Sequence, residues 1–405
     1  MLKLPVYLDN NATTKVDPRV FDAMVPYFLD HYGNAASRSH SFGWEAEEAV
    51  EYAREQVAVL IGAEPKEIVF TSGATESDNL ALKGVLETYA SKGNHIITVS
   101  TEHKAVLDTC AHLEKLGGNI TYLNVSEDGL IDCDELEKAI TPATILIAVM
   151  YANNEIGVIQ PIREIAGIAK KHNALFFTDA TQAVGKMPVD VNEDMIDLMA
   201  FSAHKIYGPK GVGALYVRRK KPRVKLAAQT DGGGHEKGMR SGTLNVPGIV
   251  GFGKACELRR LEMADDAKII KKLRDHLEAE LLKLGDVRVN GSLQHRLPNV
   301  SNLSFKHTDS ESLMLGFSKD VAVSSGSACT SATLEPSYVL KAIGLDDDLA
   351  KASIRFGLSK FTTEEEIDYA LSRVKATVIK LRETNPLWQM EQEALPKNVK
   401  MNSHL

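Results

Sequence analysis

One lysine of this sequence lies where an amine could do covalent chemistry. Lys205 follows the apolar run Leu198–Phe201 and precedes the glycine-rich segment Gly208–Gly211. Burial between a strand and a tight turn removes hydration that favours the ammonium form, so the neutral amine becomes more accessible. A neutral lysine amine condenses with aldehydes, which makes Lys205 a candidate Schiff-base lysine. Taken alone, a lysine after a strand is usually a surface residue.

Two other segments supply groups that pyridoxal 5'-phosphate requires besides an amine. Asp179 ends the apolar run that begins at Ala174, and a carboxylate there could keep a pyridinium nitrogen protonated, which makes the ring an electron sink. The segment Glu67–Ser77 is typical of a strand, a small-residue turn and a helix start, whose free amides at Ala74 and Thr75 could bind a phosphate. The alternatives are a solvated aspartate and an ordinary helix N-cap.

Two further strand ends carry polar side chains. His103 follows the apolar run that begins at Ile96, and its flat imidazole could stack on a pyridine ring and move protons near neutral pH. Asn154 follows the predicted strand 145–150 and could bond a phenolic oxygen. A hydrogen-bonded surface histidine and a turn asparagine are the alternatives. The polar groups at these successive strand ends fit one cofactor better than independent coincidences do.

The sequence resembles the cysteine desulfurases of the NifS/IscS type, within the class V aminotransferases of fold-type I pyridoxal-phosphate enzymes. The similarity extends over nearly the whole chain, to about Trp388. The motifs that carry it are Tyr7–Thr14, Gly33–His40, Thr71–Ser77, Thr101–Lys104, Asn153–Gly157, Asp179–Gln182, Ser202–Gly211, Gly238–Thr243 and Ser324–Ser331. The resemblance implies an α/β fold with a large domain, whose mainly parallel sheet of the seven-stranded type lies between helices, and a smaller α+β domain.

The resemblance also implies a role for each matching position. Lys205 would hold the cofactor covalently, Asp179 would bond its ring nitrogen, and His103 would stack on the ring and carry protons. The implied ligands of the phosphate are Ala74, Thr75, Ser202 and His204, with Thr243 contributed by the neighbouring subunit of a homodimer. Gln182 and Asn154 would contact the phenolic oxygen, and Arg355 would bind the substrate carboxylate beside Asn154. Ala203 lies where many relatives have glycine, a change of one methyl group that we expect the cofactor-binding segment to tolerate.

The position of Cys329 indicates which type of reaction the protein catalyses. It lies in a run of small residues, Ser324–Ala332, which predicts a mobile loop with an accessible thiol that could attack a sulfur atom. Cys110, Cys133 and Cys256 are interpreted instead as small buried hydrophobic residues. The resemblance implies conversion of L-cysteine to L-alanine, with the sulfur retained on Cys329 as a persulfide.

The resemblance further implies that the sulfur passes to partner proteins. The expected acceptors are an iron-sulfur scaffold protein and other sulfur carriers, including those for tRNA thiolation. No resident metal is implied, although Cys329 could transiently ligate an iron-sulfur cluster shared with a scaffold partner. The alternative functions are selenocysteine lyase, an aminotransferase or another class V enzyme, and a non-catalytic scaffold protein. A non-catalytic scaffold protein would be expected to lack Lys205 or Asp179, but both residues are present.

Length, composition and charge agree with an enzyme of two domains. A chain of 405 residues exceeds the size at which one core keeps growing. We predict a large cofactor-binding domain over 15–258, a small domain over 1–14 and 259–388 that carries Cys329, and a polar tail over 389–405. The net charge of −7 leaves no basic stripe for nucleic acid, and no apolar run reaches the roughly 20 residues of a membrane span. Four cysteines without a C-x-x-C pair and the absence of a signal-peptide core predict a reducing, cytoplasmic location.

Hydrophobic periodicity places the helices and strands. Apolar strands alternate with predicted helices at 43–61, 75–90 and 161–171, the arrangement typical of a mainly parallel sheet. A charged helix is predicted from about 257 to 284. It is followed by strands at 287–290, 301–305 and 353–358 and by a helix over 363–382.

Overall fold

The computed structural model describes residues 2–221, 223–325 and 335–394. Its strands are β1 (Val6–Tyr7), β2 (Ile68–Thr71), β3 (His95–Val99), β4 (Asn119–Leu123), β5 (Thr144–Ala148), β6 (Leu175–Asp179), β7 (Leu198–Ser202), β8 (Gly213–Val217), β9 (Val287–Val289), β10 (Val300–Phe305), β11 (Val321–Ala322), β12 (Ser324–Ser325) and β13 (Ser353–Gly357). Its α-helices are α1 (Pro18–Met24), α2 (Pro26–Leu29), α3 (Ser41–Leu60), α4 (Ala74–Tyr89), α5 (Lys104–Lys115), α6 (Cys133–Ala139), α7 (Ile162–Lys171), α8 (Val246–Leu282), α9 (Ser310–Phe317), α10 (Tyr338–Ala342), α11 (Asp347–Lys351), α12 (Glu364–Glu383) and α13 (Pro386–Ala394).

The largest sheet has seven strands in the order β2-β8-β7-β6-β5-β3-β4. The pairs from β7 through β6, β5 and β3 to β4 are parallel, and only β8 runs opposite to its neighbours. Central strands such as β5 and β7 are buried along their whole length, as expected for a sheet with both faces covered. The predicted mainly parallel sheet between helices is therefore confirmed. Since β2, β3, β5, β6 and β7 share one direction, their carboxyl ends lie along the same edge.

Helices cover both faces of this sheet. On one face α3 buries Ala46, Val50, Ala53 and Val57, which recur at helical spacing, and packs against α8. The two helix backbones approach closely at Gly253, because a Cβ there would lie 2.6 Å from the Cα of Ala53. On the other face α4 and α5 pack over the sheet.

A second, antiparallel sheet of order β12-β13-β10-β9 has its own apolar core with α9, α12 and the later part of α8. Strand β1 pairs in parallel with β11, and Asp9 bridges to Gly357 at the end of β13. The N-terminal segment thus lies against the strand that carries Arg355. The domain boundaries stay predictions, and α8 crosses the one at 258/259 as a continuous helix.

Of the five predicted helices, four match the structure within two residues at both ends, but α8 begins eleven residues before the predicted 257. Its first turns contain a proline at 247 and glycines at 248, 251 and 253. These residues are typical of a loop, so the sequence pattern did not predict a helix there. Asn245 caps this start by accepting the Gly248 amide at 3.1 Å, and proline is suited to a first turn.

The C-terminal helix α13 was not predicted, and it extends into the proposed polar tail as far as Ala394. The remaining tail residues, 395–405, lie outside the described part of the chain. Of the helices described, none is both long and apolar enough to cross a membrane.

Candidate active site

The strand ends predicted from the sequence line one cavity of about 560 Å³ at the edge of the large sheet. The turn after β2 contributes residues 72–76, and the segments after β3, β5, β6 and β7 contribute His103, Asn154, Gln182 and Lys205. Of the predicted residues, the cavity brings together Ala74, Thr75, His103, Asn154, Asp179, Gln182, Ser202, His204, Lys205 and Arg355. Ligands of parallel sheets collect at such an edge.

Lys205 ends a short 3₁₀ turn that follows β7 directly. Its Nζ donates to the carbonyl oxygens of Asn11 at 2.5 Å and Ala12 at 2.8 Å. The N-terminal segment therefore fixes the amine at the cavity wall. A lysine held by backbone carbonyls in a cavity is poised to exchange those contacts for a bound aldehyde.

Asp179 is the last residue of β6 and is 6% exposed. Its Oδ1 accepts from the amide of Thr181 at 2.9 Å, which fixes the carboxylate with an edge toward the cavity. A carboxylate in this place can pair with a cationic ring nitrogen.

His103 forms the N-cap of α5, with its Nδ1 accepting from the amide of Ala105 at 3.1 Å. Burial lowers the pKa of His103, and the positive charge of Lys205 adds to this effect, while Asp179 opposes it. A neutral ring whose Nδ1 accepts carries its proton on Nε2. His103 therefore offers a fixed flat ring with an N–H donor at Nε2.

The start of α4 forms an anion cradle. Gly73 precedes the helix without any side-chain cap, so the first amides face the cavity at the positive end of a 16-residue helix. A Cβ on Gly73 would meet only the Ser202 hydroxyl, at 3.9 Å, so the space over the turn is open. Strand β8 approaches from beneath at Gly213, where a Cβ would lie 2.7 Å from the Cα of Gly73.

A histidine ring and a lysine lie beside the cradle as well. His204 and Lys210 line the same cavity, and burial together with the charges of Lys205 and Lys210 lowers the pKa of His204 to about 4. Its Nδ1 lies 3.1 Å from the Thr13 hydroxyl. A neutral His204 beside the ammonium of Lys210 gives the cradle both a polar ring and a positive charge.

Arg355 and Asn154 each have a buried atom without a hydrogen-bond partner in the described part of the chain. Arg355 is 2% exposed. One Nη atom donates to the Asn154 carbonyl at 3.1 Å and the other donates to Asp9 at 2.7 Å. Its Nε is left without an acceptor. Asn154 Oδ1 has no donor. Since buried polar atoms are nearly always bonded, these two atoms indicate a polar ligand in the cavity.

The residues present fit pyridoxal 5'-phosphate. One cavity holds an amine for the aldehyde, a carboxylate for the ring nitrogen, a flat ring, and an uncapped helix start with cations for the phosphate. The unpaired oxygen of Asn154 and the amide of Gln182 suit the substituents of the ring. A nucleotide fits less well, since no dinucleotide or P-loop fingerprint precedes α4.

Among the described residues, two predicted ones do not line this cavity. Ala203 is buried behind it, and its methyl group has no exposed surface. Thr243 is exposed and does not line the cavity of its own chain. Cys329 lies outside the described residues.

The sequence analysis missed several residues that line the site. These are chiefly Asn11, Ala12, Met150, Thr181 and Lys210. The signal for the first two was present in the motif Tyr7–Thr14, but no local pattern shows that an N-terminal segment meets Lys205 almost two hundred residues later.

Comparison with known proteins places this geometry in a family. The sequence profile of the aminotransferase class-V family matches residues 6–370, most of the chain. This chain belongs to the aminotransferase class-V family. Its relatives include the cysteine desulfurase IscS of Anaeromyxobacter sp. (strain Fw109-5), which is 58% identical over 395 residues and covers 97% of each chain.

Solved structures of similar proteins have the same fold. A NifS-like protein superposes with a TM-score of 0.87 at 40% identity, covering 93% of this chain and all of the other. The structure described as SspA in complex with cysteine gives a TM-score of 0.77 at 37% identity, covering 88% and 99%. These matches confirm the predicted fold class.

Proposed function

We propose that this class V enzyme is a pyridoxal-phosphate-dependent cysteine desulfurase, a sulfurtransferase that converts L-cysteine to L-alanine. The observation that carries the proposal is the shared cavity of Lys205, Asp179 and the uncapped start of α4. The high identity to cysteine desulfurases over almost the entire chain supports the same activity. Selenocysteine lyase, transamination and a non-catalytic scaffold are not favoured.

The chain's own residues then have distinct tasks. When bound, the cofactor supplies a ring that withdraws electrons from the substrate α-carbon. Asp179 holds the ring nitrogen in its protonated form, and Arg355 with Asn154 orients the substrate carboxylate. Lys205 Nζ removes the α-proton. Its hydrogen bonds to two carbonyl oxygens fix the position of the amine for this step.

Sulfur transfer requires a thiolate, which we assign to Cys329. The thiolate forms a sulfur-sulfur bond with the substrate thiol while the carbon-sulfur bond breaks, so that the sulfur remains as a persulfide and the carbon product is protonated to L-alanine. We assign the protonation of the carbon product to His103. Because its lowered pKa keeps this ring neutral near neutral pH, His103 releases a proton to the product only after it has taken one up.

We also propose that the enzyme works as a homodimer that delivers sulfur to an iron-sulfur scaffold protein and to other acceptors, including those for tRNA thiolation. Thr243 is exposed and does not line the cavity of its own chain, as expected of a residue that serves a neighbouring subunit. Large apolar side chains are exposed together in the region of α1–α3, among them Phe28, Leu29, Tyr32 and Trp44 at 55–69%. Light scattering of the purified protein measures the oligomeric state.

The direct test is chemical. The protein loaded with pyridoxal phosphate should show a visible absorption band that borohydride removes, and it should release alanine from L-cysteine in equal amounts with sulfide when a reductant is present. L-Alanine and L-serine serve as substrates without a reactive sulfur. A loaded protein that releases no alanine from L-cysteine contradicts the proposal.

Asp179→Asn should retain the cofactor but lose activity. The phosphate cradle lies at the start of α4, apart from β6, so binding persists. An amide does not hold the ring nitrogen protonated, and we expect kcat to fall by about 10²- to 10³-fold, the range for removing one preorganised electrostatic group. Absorption spectra measure loading and steady-state alanine release measures kcat. Activity within a few-fold of the parent would place the electron-sink role elsewhere.

Arg355→Lys should raise KM for L-cysteine much more than it lowers kcat. Lysine keeps the charge but not the planar fork that binds a carboxylate through two bonds. Losing one charge-assisted bond predicts about a 10- to 100-fold rise in KM. Arg373→Lys, an exposed residue paired with Asp320, is the matched control. An unchanged KM in a stably folded Arg355→Lys protein contradicts the assignment.

A further inference from the structure

Lys186 is an amine close to the candidate site that the proposed function does not use. It does not line the candidate cavity and instead borders a separate cavity of about 10 Å³ together with Asn10, Tyr207 and Arg259. Its Nζ donates to Oε1 of Gln182 at 2.6 Å. Gln182 is 3% exposed and does line the candidate cavity. A hydrogen-bonded route from Lys186 to a ligand in the cavity therefore passes through Gln182.

The Gln182 amide is held between an acceptor on one side and a donor on the other. The Asn11 carbonyl can only accept, and it receives the Gln182 Nε2 donor at 3.0 Å. The Lys186 amine donates to the opposite end of the same amide. Both contacts specify one orientation, with Oε1 toward Lys186 and the NH₂ group toward Asn11. Because NH₂ has a second proton, the amide retains a donor for a ligand.

The same Asn11 carbonyl also accepts from Lys205 Nζ at 2.5 Å. A chain of three hydrogen bonds therefore joins Lys186 to Lys205 through Gln182 and one backbone oxygen. The orientation of Gln182 is thus coupled to the group that holds Lys205 in place.

The backbone places Lys186 for this contact. Residues 180–186 form successive turns after β6, with the Lys186 amide bonded to the Ala183 carbonyl at 3.0 Å. Gly185 has φ +72°, and a Cβ there would lie 2.7 Å from Ile206 Cγ2. Only glycine makes this left-handed step without a clash, so the arrangement is a constrained one.

Four charged side chains lie around the Lys186 amine. Lys205 and Arg355 repel its ammonium, and Arg259 and Asp266, which border the same small cavity, are bonded to each other. Part of the residue is exposed, yet burial of the amine, followed by these two charges, lowers the pKa of Lys186 well below its usual value. A neutral amine still has N–H groups to donate, so its contact with Gln182 survives loss of the proton.

We propose that Lys186 is a positioning residue that locks the Gln182 amide with its NH₂ group toward the site, so that Gln182 acts there only as a hydrogen-bond donor. The proposal rests on the proposed function, in which Gln182 contacts the phenolic oxygen of the cofactor. Without Lys186 only the Asn11 carbonyl holds the amide, which can then rotate more often and present its oxygen, and this oxygen repels an anionic oxygen. A hydrogen-bond donor toward the phenolic oxygen also disfavours a proton on the nitrogen that would join Lys205 to the cofactor.

The test is a pH titration of the visible band of the loaded enzyme. Lys186→Met should load with cofactor, shift the midpoint upward by about 0.5 unit or more, and lower kcat about 10-fold. Lys186→Arg keeps a donor and should titrate like the parent. Lys138→Met, the same change at an exposed lysine paired with Glu135, is the control and should change nothing. If Lys186→Met does not fold, Lys186→Gln replaces it with the same expected shift, because the shorter amide does not reach Gln182.

A cycle of single and double variants shows whether Lys186 acts through Gln182. If Lys186 acts through Gln182, then Lys186→Met adds no further shift to Gln182→Met. An unshifted midpoint in loaded Lys186→Met, or shifts that add, overturns the inference. A parent protein that forms no visible band with the cofactor would instead refute the proposed function, so the two failures are distinguishable.

Discussion

Lys205→Ala should abolish alanine formation, with a loss of about 10³-fold or more in kcat, while the protein stays folded. The two roles proposed for Lys205, holding the cofactor and moving the α-proton, predict a loss of this size. The Lys205 contacts to Asn11 and Ala12 are lost, but Gln182 still bonds the Asn11 carbonyl, so the local fold is retained. Steady-state assays and thermal melting measure the two effects.

The covalent link gives a second measurement. After borohydride treatment, mass spectrometry should find the cofactor attached to the parent chain and absent from Lys205→Ala. Lys205→Arg should not restore attachment, because a guanidinium stays protonated. Lys210→Ala removes another amine at the same cavity and should leave attachment intact. Cofactor found on a residue other than 205 would show that the lysine is misassigned.

Cys329→Ser should bind the cofactor as the parent does but form no persulfide. A hydroxyl is far less ionised than a thiol and attacks sulfur poorly, so alanine release should fall by about 10²-fold or more. Cys329 lies outside the described residues, and this prediction rests on its sequence context. Mass spectrometry after brief exposure to L-cysteine should find one added sulfur on the peptide that contains residue 329.

The other three cysteines support this choice. Burial raises the pKa of Cys110 and of Cys133 to about 12, and it raises the pKa of Cys256 further still. Such thiols are almost fully protonated near neutral pH and are poor nucleophiles. Cys133→Ser, at a half-buried position, is therefore the matched control and should retain normal turnover. Added sulfur on any of these three would identify a different nucleophile.

Local sequence sufficed for five strands of the large sheet, β2, β3, β5, β6 and β7, and for the side chains at their ends, whereas β4 and β8 were not predicted. Apolar runs closed by Asp179, His103 and Lys205 became strands and turns at the predicted places, because a strand buried on both faces needs continuous apolar residues and its end is the first place where a polar group can reach solvent. Helices with regular periodicity, such as α3 and α12, were likewise predictable. Where glycine and proline interrupted the pattern, at the start of α8, prediction failed.

The sequence by itself therefore determined which residue types the site contains, while the tertiary structure decided which of them meet. Asn11 and Ala12 reach Lys205 because β1 pairs with β11 and the following segment crosses to the end of β7. Arg355 reaches Asn154 because β13 ends beside Asp9. The bond between Lys186 and Gln182 depends on a left-handed turn at Gly185. These contacts depend on chain crossings and turns that place distant residues together, and no local period or motif records such long-range pairing.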